Sequence, residues 1–155
     1  RNLDELILEL NGETLDQLQA FAADRCAKEM PAEDKLLALA DCYIEFMRRY
    51  GHLWSALLEH RVPPGVTLPD WYLVKVHRPF RLIEDALAPL FPAEGSSERL
   101  RTARLLWASI HGICSLAGAD KLNSNGDDEA RWMAHSLVLN YVAGARARAV
   151  AGVEL

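Results

Sequence analysis

Cysteine is scarce in this sequence and shows no pattern. Only Cys26, Cys42 and Cys114 occur among the 155 residues. They are widely separated and odd in number, and no pair has the spacing of a metal knuckle or a redox motif. Free thiols in a reducing compartment, the cytoplasm, are therefore expected. No apolar run approaches the roughly 18 residues that span a bilayer. No basic segment followed by an apolar stretch marks a signal peptide. Positive charge is in deficit: 17 Lys and Arg stand against 22 Asp and Glu, a net charge of -5. A surface that grips nucleic-acid phosphates needs the opposite balance. The chain begins Arg1-Asn2 without an initiator methionine, so it reads as part of something longer.

Catalytic arrangements are missing as well, and no catalytic residue is expected. There is no glycine-rich phosphate loop. The five histidines, His52, His60, His77, His111 and His135, form no HxxxH or HExxH pair. His111 and Cys114, three residues apart, share a helix face, but no third group orients the imidazole as a thiol nucleophile requires. Glu84 and Asp85 are adjacent and so diverge, which makes them poor acid–base partners. No metal site and no cofactor are expected.

What is present is helical periodicity. Nothing alternates like a strand, and apolar residues recur at 3.6-residue spacing throughout. Asn2 and Glu5 read as a helix start. Leu3, Leu6, Ile7, Leu10, Thr14, Leu18 and Phe21 trace one stripe, with a bend expected at Asn11-Gly12, two poor helix formers. Pro31 opens a second helix, whose buried face is Leu36, Leu39, Ala40, Tyr43, Phe46, Met47 and Tyr50 and which Gly51 should end. A short helix from about 52 to 60 carries Trp54, Leu57 and Leu58. Residues 62–69 hold three prolines and form a loop. Asp70 should cap a third long helix reaching about Phe91, kinked near Val76 by Pro79. Ser96 or Ser97 caps the next, to about Gly118, and a polar turn follows at 121–127. Asp127 or Asp128 caps the last, to roughly Ala151. The expectation is one all-α domain of about six helices, with no internal repeat and no linker.

Two helices carry the functional expectations. On the fourth long helix, Leu100, Ala103, Trp107, Ile110, His111, Cys114 and Ala117 share a face on which His111 is the polar exception. It is either a core histidine with a satisfied hydrogen bond or a polar contact for a ligand. Aromatics from several helices either fill a core or, beside a few polar groups, shape a chamber. The last helix is apolar around much of its circumference, through Trp132, Ala134, His135, Leu137, Val138, Leu139, Tyr141 and Val142. It is thus expected to be buried from two directions, the second being another subunit; the alternative is the central core helix of a monomer.

The stretch Leu106-Trp107-Ala108-Ser109-Ile110-His111-Gly112 resembles the Trp-Ala-x-x-His-Gly signature of the C-terminal domain of TetR-type transcriptional regulators. Residues 41–54, with Tyr43 and Phe46 ahead of Trp54, are similar to that family's Tyr-x-x-Phe helix and following short helix. Asn2 to Ile7 looks like the junction just after its recognition helix. The resemblance implies a ligand-sensing and homodimerisation domain, 1–155, whose last two helices form a four-helix bundle with a second copy. It implies an N-terminal helix-turn-helix domain, absent from this chain, that binds operator DNA. It also implies a repressor released by a small apolar or amphipathic effector. A first helix of about 25 residues would be a rod about 38 Å long, joining the chamber to reading heads set roughly 34 Å apart on DNA.

The expected ligand-binding residues are Tyr43, Phe46, Trp54, Leu58, Trp71, Val74, His77, Phe80, Trp107, Ile110, His111 and Cys114. The expected dimer residues are Leu105, Ala108, Trp132, Ser136, Leu139, Tyr141, Val142 and Ala145. The alternative from another class is a helical protein–protein adaptor with a solid core and no chamber.

Overall fold

The computed structural model describes residues 3–26, 30–62, 65–91, 96–119, 121 and 127–152. Among them lie five α-helices: α1 Leu3–Arg25, α2 Ala32–Glu59, α3 Asp70–Leu87, α4 Ser96–Gly118 and α5 Asp127–Ala151. A 3₁₀ turn, Ala88–Leu90, follows α3. There is no strand among the described residues, and no helix is long and apolar enough to cross a membrane.

The central element is α2, which packs against each of the other four helices. Its inner side follows from its sequence. Leu36, Ala40, Tyr43, Ile44 and Phe46 are buried at helical spacing, and burying each large apolar side chain contributes about 1.5–3 kcal/mol. Opposite them lie Leu87 of α3, Ala103 and Leu106 of α4, and Ala134, Val138 and Val142 of α5. Polar ties fix the packing. His135 Nε2 of α5 lies 2.9 Å from Asp41 Oδ1 of α2, and Thr102 Oγ1 of α4 lies 2.8 Å from the Tyr141 hydroxyl of α5.

Several expectations are corrected. The second helix breaks at Tyr50 (φ -127, ψ 20), one residue before its expected end at Gly51, and a short segment runs on to Glu59, close to the expected 52–60 helix. That segment carries Trp54 inward, only 3% exposed, onto Tyr43 and Phe46. Counted as one helix across the break, the two segments make five helices where about six were expected. The third helix stops at Leu87 rather than Phe91 and runs through Pro79, and its N-cap is Pro69 rather than Asp70. The Asn2 cap and most of the 121–127 turn lie outside the described residues.

The apolar stripe of α1 is also phased differently. Leu8, Leu15, Leu18 and Ala22 face the core, whereas Leu3, Leu6 and Leu10 are exposed. α1 runs unbroken through Asn11-Gly12, where a bend and not a break was expected. This is where α3 docks. A Cβ on Gly12 would sit 2.9 Å from Trp71 Cζ3 and 3.4 Å from Lys75 Cδ, so only glycine admits the indole there. Lys75 Nζ lies 2.6 Å from Asp16 Oδ2. Gly12→Val should cost about 1–3 kcal/mol by overpacking. In a Trp71→Ala background that cost should shrink, a coupling readable by a double-mutant cycle in urea. Equal costs in both backgrounds would show that the contact is not what demands glycine.

Candidate functional site: an uncharged cavity at the meeting of five helices

An apolar cavity with about 60 Å³ of free space lies where the helices meet and opens toward the surface. All five helices wall it. Leu18, Gln19 and Ala22 come from α1; Leu36, Leu39, Ala40, Cys42 and Tyr43 from α2. Pro79, Leu82 and Ile83 come from α3; Leu106, Trp107 and Ile110 from α4; Val138 from α5. None of these residues is charged.

Beside the cavity, Tyr43 and His111 make its polar edge. The Tyr43 hydroxyl lies 2.8 Å from His111 Nδ1. Burial pushes the tyrosine well above its ordinary range, so it keeps its proton. Burial pulls His111 down, which favours the neutral ring. His111 Nε2 lies 3.3 Å from Ser115 Oγ. The Trp107 indole stacks on the imidazole, with centroids 5.5 Å apart and planes within 10°, and Phe80 meets Trp107 edge-on at 5.5 Å. His111 Nδ1 is engaged by the Tyr43 hydroxyl.

A pH dependence follows from His111. Its folded value is depressed, so between that value and the ordinary 6.5 of histidine the unfolded chain binds more protons. Stability from this group is present above pH 6.5 and is lost as pH falls through 6.5 toward the folded value. The melting temperature should therefore drop from pH 7.5 to 5.5, and His111→Gln should flatten the slope. An unchanged slope would remove His111 as the source.

The expected ligand residues divide into four sets. Tyr43, Trp107 and Ile110 line the cavity. Phe46, Trp54, Phe80 and His111 stand behind the lining residues as ring contacts. Cys114 borders a surface cleft of about 550 Å³ near the α2 kink. Leu58, Trp71, Val74 and His77 are exposed and lie outside the cavity. Sequence reasoning missed the α1 wall and Cys42. Burial pushes the Cys42 thiol up to about 12 and raises Cys26 as well, so both remain protonated and poorly nucleophilic at neutral pH. Among the described residues no group of three or more His, Cys, Asp or Glu could hold a metal ion.

The expected dimer residues also divide. Leu105, Ala108, Trp132 and Leu139 are exposed. Ser136 and Tyr141 are half-buried. Val142 and Ala145 fall on the inner face of α5, with Ala134 and Val138, and are 0% and 6% exposed. They are buried within this chain, together with Ala134 and Val138 of the same helix.

This is an all-helical domain with an uncharged cavity where its helices meet and an uncovered apolar side on its last two helices. Residues 36–138 match the family described as tetracyclin repressor-like, C-terminal domain. The match covers more than half of the chain, which therefore belongs to that family and is a TetR-type regulatory domain. A solved structure of a protein with unknown function from Rhodococcus sp. RHA1 shares the fold, with a TM-score of 0.72 at 22% identity over 89% of this chain and 73% of that one. No curated protein matches the sequence.

Proposed function

We propose that this chain is the ligand-sensing and homodimerisation domain of a TetR-type transcriptional repressor, released from operator DNA when a small apolar or amphipathic effector enters. The DNA-binding part is a helix-turn-helix domain preceding Arg1. One observation carries the reading: a single cavity is walled by all five helices. Whatever fills it presses at once on α1, the rod toward the DNA-binding end, and on the α4–α5 pair, the proposed dimer seam. About 60 Å³ is well below the roughly 300 Å³ of a small ligand pocket. The described conformation is thus the closed one, and an effector must bind a wider one better. Only that difference in affinity shifts the population.

A thermal-melting screen of uncharged and amphipathic small molecules tests the chamber. A binder at 100 times its Kd should stabilise by about 2.7 kcal/mol. A nitroxide pair on the exposed N-terminal turn of α1 should then report a changed distance across the dimer. A broad panel that leaves the melting temperature unmoved would favour the solid-core adaptor.

A further inference from the structure

The kink in α2 is bordered by a second site. Ile44, Met47, Arg48, Gly51 and Ser55 recur at helical spacing across Tyr50 and line a surface cleft of about 550 Å³. Ser115 and Gly118 from the last turns of α4, and Ala130 of α5, complete it. A Cβ added at Gly51 or Gly118 would meet nothing within 4 Å, so the space is open at both. The cleft falls within the roughly 300–1,000 Å³ of small-molecule pockets. The five-helix cavity, at about 60 Å³, does not, and no described residue lines both.

The lining sets the chemistry of an occupant. Ile44, Met47 and Ala130 are apolar. Arg48 is exposed and is the one charged residue among the described residues of the lining. Ser55 and Ser115, also exposed, add two hydroxyls, and the described lining holds no carboxylate. A cation would meet like charge there, and a neutral molecule would draw nothing from the positive one. A carboxylate matches a guanidinium with two parallel hydrogen bonds. On the open side it keeps part of its hydration, so it escapes the penalty of full burial. We propose that this cleft binds a small carboxylate with a short hydrocarbon tail, its head on Arg48 and the serine hydroxyls and its tail against Ile44, Met47 and Ala130. Ser115 ties the site to the core. Its Oγ lies 3.3 Å from His111 Nε2, and His111 Nδ1 lies 2.8 Å from the hydroxyl of Tyr43, which lines the five-helix cavity. The cleft would take its ligand whether or not the five-helix cavity takes an effector.

Octanoate, 1-octanol and octylammonium share one tail and differ in the head. Their affinities can be read at pH 7 from the amide NMR shifts of Gly51, Ser55, Ser115 and Gly118, which separates this cleft from the five-helix cavity. Octanoate should bind about tenfold tighter than either of the others, the lower end of the worth of a hydrogen bond to a charged group because the site is open to solvent. Arg48→Gln should bring octanoate down to the level of the alcohol. Gly51→Leu, which also raises helix propensity, should fill the space and weaken octanoate at least about tenfold. Octanoate that binds no tighter than the alcohol or the ammonium, or whose affinity survives Arg48→Gln or Gly51→Leu, would overturn the carboxylate site. So would shifts confined to Leu18, Ile83 and Val138 of the five-helix cavity, or no octanoate binding at millimolar concentration. None of these results touches the effector reading of that cavity. The wild-type series needs no variant, so the site stays testable if either variant fails to fold.

Discussion

Phe46→Ala is expected to destabilise the domain by about 3–5 kcal/mol, which for a chain of this size lowers the melting temperature by on the order of 10 °C. Phe46 is 0% exposed and sits just before the α2 kink. Its ring meets Tyr50 at 5.1 Å, Trp54 at 6.0 Å and Phe21 of α1 at 6.1 Å. It is therefore the joint between both halves of α2 and the C-terminal end of α1. Truncation removes the apolar transfer gain and leaves a void that three rigid rings cannot close by small shifts. The comparison variant is Phe80→Ala, whose half-buried ring touches Trp107 at the cavity edge and should cost less. Urea denaturation of both decides it. A loss below about 1 kcal/mol at Phe46 would mean that the kink closes over the gap, and the joint would have to be sought elsewhere.

Helix positions were legible wherever punctuation and periodicity agreed. Pro31, Gly118 and Ala151 mark ends that the structure reproduces to within a residue. The inner face of α2 through Leu36, Ala40, Tyr43 and Phe46 was legible because it is packed along most of its length. The failures share a physical cause. Periodicity says that a side chain is apolar but not whether anything covers it. Leu3, Leu6 and Leu10 continue a good stripe, yet α3 docks farther along α1, at Gly12, and leaves them exposed. Gly12 was read from intrinsic propensity, whereas its position is set by tertiary packing, because it admits an indole. Trp71 was assigned to a chamber for its size, but its ring lies against α1 outside the cavity. Gln19 gave the opposite error. A glutamine in an exposed-looking stretch carries no sequence signal that its amide oxygen will be sealed inside.

The phase error on α5 sharpens the second large prediction. Val142 and Ala145 belong to the protomer's own core, so a partner can only meet the other side, where Trp132 is 66%, Leu105 55% and Leu139 42% exposed. Scattered exposed apolar residues are ordinary, but an indole left two-thirds open beside further apolar side chains on α4 and α5 fits an interface whose core is aromatic. For the proposed homodimer, Trp132→Glu should weaken association by about 30- to 1000-fold, the 2–4 kcal/mol scale of a buried aromatic anchor. Sedimentation velocity at micromolar concentration should show the wild type as a dimer and Trp132→Glu as a folded monomer. Val74→Glu, on an exposed apolar position of α3, is the control and should stay dimeric. Val142→Glu should instead unfold the chain, because the charge would enter the protomer's interior. A wild type that is monomeric, or a Trp132→Glu protein that still pairs, would remove the α4–α5 seam. Ligand entry could then move α1 only within one protomer, with no second copy to convert that motion into a spacing.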